Sequence, residues 1–193
     1  MLSTKRHSVH DKIVLAAVVC AVVLGGTCLS GCLAQAKSEG PKSRIKGTIV
    51  VSSPEEQEAA DAAVETLFAA LEAGDEQAIK EMFSDYALEN APEIDENIEK
   101  LISYFPGADG GYDGVGVSTE NKDQGKYQHV LDLILTVRNG DDTYKIGICL
   151  QMKNEFDPTR EGVHLIEVLT ADEIKSGIRW KEKDDEPGVY VLE

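Results

Sequence analysis

The sequence predicts a single α+β domain, with helices in its first half and an antiparallel sheet in its second. Three observations support this fold class. Apolar residues recur at helical spacing between residues 54 and 74, and again between residues 94 and 105. From residue 126 the period changes to alternation, which is typical of strands with one buried face. A hydrophobic content of 42% over 193 residues is enough for one packed core.

The segment from Pro54 to Gly74 carries the clearest helical signal. Ser53 can cap its first turn, and Glu56 stands where the carboxylate of a capping box belongs. Gly74 can adopt the left-handed conformation that ends a helix. The apolar face of this helix consists of Ala60, Val64, Leu67, Phe68 and Leu71. A helix with such a face needs a partner, so we expect the later strands to bury it.

The other elements follow from the same patterns of spacing and turn residues. In chain order they are a helix at 76–83, a helix at 94–104, a glycine-rich turn at 107–116, a short edge strand at 115–120, strands at 126–138, 143–153 and 162–170, a helical or irregular piece at 172–181, and a short strand at 187–192.

The N-terminus has the pattern of a secretory signal peptide, with positive charges before an apolar run at 13–24. The sequence LSGC at 29–32 then resembles the lipobox of bacterial lipoproteins. This resemblance implies cleavage before Cys32 and attachment of diacylglycerol and palmitate to its thiol. An uncleaved membrane anchor is the alternative, because residues 13–36 carry no charge and are long enough to span a bilayer.

These features predict three parts of the chain: a signal peptide at 1–31, an acylated N-terminus and flexible tether at 32–52, and one domain at 53–193. Whether residues 45–50 pair with the sheet stays open. The lipid anchor would hold the domain on the extracytoplasmic side of the cell membrane. Without the leader the net charge becomes about −18. So strong a negative charge repels phosphates, which argues against nucleic-acid partners.

Several segments together resemble a known fold. These are the helical stretch at 62–84, YFPG at 104–107, YDG at 112–114 and PGVY at 187–190. They are similar to the nuclear-transport-factor-2-like cone, and more narrowly to an uncharacterised family of bacterial lipoproteins with that cone. The resemblance implies a strongly curved antiparallel sheet that wraps the first helix and leaves a pocket. It implies no activity.

Tyr127, His129 and Leu131 share the apolar face of one strand, and with Phe68 they form our candidate pocket. The favoured interpretation is a non-enzymatic module that binds a small molecule, a peptide or an envelope protein. The alternative is a cone-fold enzyme that acts on a small apolar substrate through His129 and Tyr127. No acid partner for His129 can be placed from the sequence, so we assign no catalytic residue. An acid beside His129 would favour the enzyme, and an exposed apolar sheet face would favour a docking role.

The remaining chemistry-bearing residues suggest no cofactor or metal. The acidic turn residues lack the spacing of a calcium loop, and no paired Cys or His cluster suits zinc. His164 alternates with apolar neighbours, which predicts a position on the solvent face of its strand. Cys149 lies between Ile148 and Leu150, on the opposite face of its strand from these apolar residues, and is expected to be an ordinary half-buried thiol.

Overall fold

The computed structural model describes residues 43–176 and 186–192. All of these residues lie in one compact unit, Glu39–Glu193. The predicted signal peptide, the lipidation site at Cys32 and the first part of the tether therefore fall outside the described residues. None of the described helices is long and apolar enough to cross a membrane.

The described part is a mixed α+β domain, which confirms the α+β class that the sequence predicts. Its elements in chain order are β1 (Gly47–Val50), α1 (Pro54–Ala73), α2 (Glu76–Lys80), α3 (Asp85–Asn90), α4 (Ile94–Tyr104), β2 (Tyr112–Asp123), β3 (Lys126–Asn139), β4 (Asp142–Asn154), a 3-10 turn (Pro158–Arg160), β5 (Gly162–Leu169), α5 (Ala171–Ser176) and β6 (Gly188–Leu192).

The six strands form one sheet in the order β1-β2-β3-β4-β5-β6, with β1 and β6 at its edges. The strands from β2 to β5 pair antiparallel, as predicted. Both edge strands pair parallel to their neighbours, so the prediction of a wholly antiparallel sheet is wrong at the edges. The reason is the connections: four helices separate β1 from β2, and α5 separates β5 from β6. A crossover through helices returns the chain in its original direction.

The last part of the predicted tether belongs to the sheet. Residues 47–50 form β1, which pairs with β2 from Gly47 opposite Tyr112 to Val50 opposite Val115. A side chain at Gly47 would collide with the Tyr112 ring. Ile49 is 3% exposed and joins the hydrophobic core. The folded domain therefore begins before residue 53.

The glycine-rich segment is only partly a turn. β2 begins at Tyr112, so Gly114 and Gly116 lie within a strand of 12 residues that sits between β1 and β3. A Cβ at Gly114 would lie 2.6 Å from Leu135 Cδ2, and one at Gly116 would lie 2.5 Å from Val51 Cγ1. These two glycines make room for core side chains, which explains why the prediction of a turn and a short edge strand is wrong.

The core lies between the helices and one face of the sheet. Leu67 and Leu71 of α1 are 0% and 4% exposed, which confirms that strands much later in the chain help to bury this helix. The β3 and β4 residues in the same cluster include Leu131, Leu133, Leu135, Val137, Ile146 and Ile148. Gly74 ends α1 with φ = 65°, as predicted.

Two local predictions need correction. α2 ends at Lys80 rather than at residue 83, because the next residues join β5: Ser84 N donates to Val163 O at 2.9 Å, and Val163 N donates to Met82 O at 2.9 Å. His164 is 3% exposed and not on a solvent face. α3 covers that part of β5, and the Tyr86 ring stacks on His164 at a centroid distance of 6.0 Å.

Candidate functional site

A polar cluster lies where the N-terminus of α1 meets β3. His129 is 7% exposed, and its Nε2 lies 3.2 Å from Oε1 of Glu56. The structure thus supplies the acid partner that the sequence did not reveal, from a position 73 residues earlier in the chain. A carboxylate can only accept hydrogen bonds, so Nε2 is the donor in this contact.

Glu56 is at the same time the capping-box residue of α1. Its Oε2 accepts hydrogen bonds from the backbone N–H groups of Ser52 at 2.9 Å and Ser53 at 3.1 Å. The Ser53 hydroxyl accepts the Glu56 N–H at 3.2 Å, which confirms the predicted box. Both oxygens of Glu56 therefore have partners: Oε2 holds the helix end, and Oε1 contacts His129 on β3.

The surroundings of Glu56 favour its charged form. Burial opposes ionisation, but hydrogen bonds from the Ser118 hydroxyl, Ser52, His129 and Ser53 outweigh it and lower the pKa of the carboxyl. An ionised carboxylate that already accepts several hydrogen bonds is well suited to stabilising the contact between α1 and β3. Both side chains of this pair are buried, with Glu56 5% and His129 7% exposed.

Tyr127 completes the polar cluster. Its ring lies 6.1 Å from the His129 ring, and Lys122 Nζ lies 5.0 Å from the centre of the Tyr127 ring. Burial, a hydrogen bond to Glu120 and the negative charge of Glu120 raise the pKa of the Tyr127 hydroxyl. That hydrogen bond in turn lowers the pKa of Glu120, whose carboxylate also lies 3.4 Å from Lys122 Nζ. Tyr127 is thus held as a neutral donor.

The four residues of the sequence-based pocket do not come together. Tyr127 and His129 are neighbours, and Leu131 lies beside them as a fully buried core residue. Phe68 is 1% exposed and packs 5.2 Å from the Tyr112 ring, between centroids. It is twelve residues beyond Glu56 on α1, which corresponds to about 18 Å along the helix axis.

An open pocket of about 490 Å³ lies near the other end of the same helix, and we call it the α1 C-terminal pocket. Its lining residues are Arg44, Ile45, Lys46, Glu72, Phe105, Gly107, Ala108, Asp109, Gly110 and Gly111. Ile45 and Phe105 are half-buried and Ala108 is buried, so part of the lining is apolar. Charged side chains supply the rest.

The loop between α4 and β2 forms one wall of this pocket, and glycines allow its path. Gly107 and Gly111 have φ values of 96° and 72°, which favour glycine. A side chain at Gly111 would collide with the carbonyl of Lys46. The Tyr144 hydroxyl donates to Gly107 O at 2.7 Å, and Gly110 N donates to Arg138 O at 3.2 Å. The wall is therefore fixed by the sheet.

The carboxylates of the pocket already have donors. Glu72 Oε2 accepts from the Ser43 hydroxyl at 2.8 Å and from Arg44 N at 3.0 Å, and Arg44 Nε lies 3.5 Å from Glu72 Oε1. Burial raises the pKa of Glu72, but these contacts outweigh it and leave the pKa lowered. Asp109 Oδ1 accepts the Gly140 N–H at 2.8 Å. Among the described residues, by contrast, Lys46 forms no ion pair.

Residues 66–173 match a family described as Domain of unknown function (DUF5104). The match covers more than half of the chain. The chain belongs to the DUF5104 family. No curated protein matches it. Within this DUF5104 protein the matched segment includes His129 and the loop wall of the pocket, whereas Glu56, Arg44 and Lys46 precede it.

Two further features of the DUF5104 protein bear on function. In the ranges that the structure describes, no three His, Cys, Asp or Glu groups are placed to hold a metal ion. Val50, Val115 and Val117 are 65%, 51% and 59% exposed on the outer face of β1 and β2. Single exposed apolar residues are common on protein surfaces, and three valines form a small patch.

Sequence reasoning missed the residues of the candidate sites that lie far apart in the chain. Glu56 was recognised only as a cap, because capping is local whereas its contact with His129 depends on how α1 crosses the sheet. Arg44 and Lys46 lie in the predicted tether, where nothing in the local pattern marks a pocket wall. Gly47 is the one residue of this segment that could have indicated a strand, because its lack of a side chain lets the Tyr112 ring approach. That interpretation requires the β1–β2 register, which the sequence does not provide.

Proposed function

We propose that this DUF5104 protein is a bacterial lipoprotein, anchored to the cell membrane through Cys32, whose folded domain binds a ligand without catalysing a reaction. The observation that carries the binding proposal is the contrast between an engaged His129 and an open α1 C-terminal pocket. His129 is buried against the helix-capping Glu56. The pocket is large enough for a small molecule and mixes apolar and polar lining, as ligand sites do.

We further propose that the domain adopts the nuclear-transport-factor-2-like cone. In support, the long helix α1 packs against one face of a sheet whose four central strands, β2 to β5, follow it in the chain and pair antiparallel. The YFPG segment at 104–107 closes α4 and leads into the loop wall of the pocket. A solved structure that showed a flat sheet would contradict the cone.

The anchoring proposal rests on LSGC at 29–32 directly after the apolar run at 13–24. Replacing Cys32 with Ala removes the thiol that would be acylated, so we expect no lipid attachment and an uncut precursor. Metabolic labelling with a fatty-acid analogue, followed by gel mobility, measures both effects. Equal labelling of parent and Cys32→Ala protein would show that the anchor is not at this cysteine.

The binding proposal can be tested on the full protein purified from its native membrane. We expect native mass spectrometry to detect a bound small molecule or peptide. Lys46→Trp would place a large ring at the pocket rim and is expected to remove that species. Lys126→Trp is the matched control, because it makes the same change at another exposed lysine. Lys126 begins β3, whereas the turn next to the pocket follows the other end of this strand. A bound species that survives Lys46→Trp would contradict this site.

One observation favours the enzyme alternative, in which His129 and Tyr127 act on a small apolar substrate. Glu56 is the acid that such a mechanism would require beside His129. If the protein converts the recovered ligand, loss of a general acid or base should slow it about a hundredfold or more. A decrease of that size in His129→Ala, with Lys46→Trp still active, would replace the binding proposal with the enzyme.

A further inference from the structure

We infer that the α1 C-terminal pocket recognises a small organic acid, with a carboxylate facing Lys46 and Arg44 and an apolar body against Phe105 and Ile45. This inference rests on the proposed binding function and specifies the ligand class of the same site. It concerns residues that carry no role in the polar cluster around His129.

The inference comes first from the donors and acceptors of the lining. Its two carboxylates, Glu72 and Asp109, already accept hydrogen bonds from the protein. The carbonyl of Gly107 accepts the Tyr144 hydroxyl, and the carbonyl of Lys46 accepts the Tyr112 N–H. Most of these acceptors are thus engaged, and Asp109 Oδ2 is the carboxylate oxygen of the lining that has no donor among the described residues.

The donors of the lining are in the opposite situation. The Arg44 side chain is 89% exposed, and only its Nε lies near Glu72. In the described part of the chain, the Lys46 ammonium has no carboxylate within ion-pair distance. A pocket in which most acceptors are engaged, Arg44 uses one side-chain nitrogen on Glu72 and Lys46 forms no ion pair with a described residue favours a ligand that brings acceptors. A carboxylate pairs with both cation types.

The apolar part of the lining indicates the chemistry of the rest of the ligand. Phe105 and Ile45 are half-buried, and Phe105 packs on the Phe68 ring with a centroid distance of 6.1 Å, so its position is fixed by the core. A volume of about 490 Å³ accommodates a carboxylate joined to one ring or a short chain. Both parts of the ligand then meet a matching surface.

The net charge of the whole chain, −16, works against attracting any anion over a distance. Preference for a carboxylate must therefore arise from contacts within about 8 Å, the screening length at physiological salt. This limits the expected affinity and makes the comparison between charged and neutral analogues the decisive measurement.

The experiment uses the full lipidated protein in nanodiscs of zwitterionic lipid, with empty nanodiscs as the blank. Three probes share one apolar body and differ in charge: 3-phenylpropanoate, 3-phenylpropanol and 3-phenylpropylamine. Ligand-observed saturation-transfer NMR gives the affinity of each probe. We expect the carboxylate to bind tightest and the amine weakest, with about a threefold step between carboxylate and alcohol, as for an exposed ion pair.

Variants at Lys46 test the assignment of the cation. Lys46→Glu should abolish the preference for the carboxylate and leave the affinity for the alcohol within about twofold. Lys46→Arg should retain the preference, because it keeps the positive charge. Lys126→Glu makes the same charge reversal at the opposite end of β3 and should leave all three affinities unchanged.

The outcomes separate this inference from the function on which it rests. If the alcohol or the amine binds as tightly as the carboxylate, and Lys46→Trp removes that binding, the ligand class is wrong and the binding site stands. If no probe gives a signal that Lys46→Trp removes, the organic-acid assignment fails. The native mass spectrum of the membrane-purified protein then decides the binding function independently.

Discussion

The two ends of α1 carry similar residues in opposite situations. At the N-terminal end, Glu56 is 5% exposed and both of its oxygens have partners, one of them the buried His129. At the C-terminal end, Glu72 also has partners, but they include the highly exposed Arg44, and the site opens into a pocket. The comparison teaches that a histidine beside an acid is weak support for catalysis when the acid already holds a helix end. The open pocket, in which Lys46 forms no ion pair with a described residue, is therefore the basis of our binding proposal.

The comparison assumes that one core joins both ends of the helix, and Leu67→Ala tests this most strongly. Leu67 is 0% exposed in the middle of α1, so truncation should lower the free energy of unfolding by about 2–5 kcal/mol. Chemical denaturation measures the loss. Val117→Ala is the control, because Val117 is 59% exposed and should change stability by about 0.5 kcal/mol or less. A loss at Leu67 as small as that of the control would mean that α1 is peripheral.

The second prediction compares the two helix ends directly. Ser53→Ala removes the side-chain acceptor of the capping box and should cost about 1 kcal/mol of unfolding free energy. Glu72→Gln weakens a surface ion pair at the other end and should cost less, about 0.5 kcal/mol. The same denaturation experiment ranks the two variants. The reverse order would show that the C-terminal end is the more tightly held.

The third prediction concerns pH and is the smallest in effect. Because the folded pKa of Glu56 is lowered, its ionised form stabilises the fold above the usual carboxyl pKa near 4.5. This stabilisation is lost as the pH falls from that value through the lower folded pKa. Glu56→Gln has no such proton to bind, so its stability should fall less steeply with pH below 4.5 than that of the parent.

Glu58→Gln is the control for the pH experiment, since it makes the same chemical change on the exposed side of α1. Thermal unfolding at a series of pH values measures all three slopes. We expect Glu58→Gln to follow the parent. If Glu56→Gln also follows the parent, then the hydrogen bonds to Glu56 in the parent do not stabilise its ionised carboxyl. The contrast between the two helix ends would then be weaker than we describe.

Local patterns predicted α1 and α4 well. The capping box at Ser53 and Glu56 and the left-handed Gly74 placed both ends of α1 correctly, because each depends on hydrogen bonds among residues close in sequence. α4 also follows its predicted bounds, although Glu93 before it makes no side-chain cap hydrogen bond, so its apolar spacing and the Pro106-Gly107 pair after it carried that prediction. The hairpin between β3 and β4 was also predictable, since Asn139 and Gly140 favour a tight turn.

Local patterns failed where a distant segment decides the conformation. Gly114 and Gly116 look like turn residues, but they lie in β2 because Leu135 and Val51 need the space that side chains would occupy. His164 alternates with apolar neighbours in its strand, which predicts an exposed side chain. In the structure α3 covers it, and the Tyr86 ring stacks on the His164 ring. Neither fact can be read from residues within one turn or one strand.

The sequence by itself determined the fold class, the ends of α1 and α4 and the residues available for the core, because short-range hydrogen bonds and hydrophobic spacing specify them. Only the tertiary structure decided that Glu56 meets His129, that residues 47–50 join the sheet, and that Lys46 lines a pocket beside Phe105. These contacts join segments up to 73 residues apart. Their geometry depends on strand register and on how α1 crosses the sheet, which are set by the packing of the whole core rather than by any local pattern.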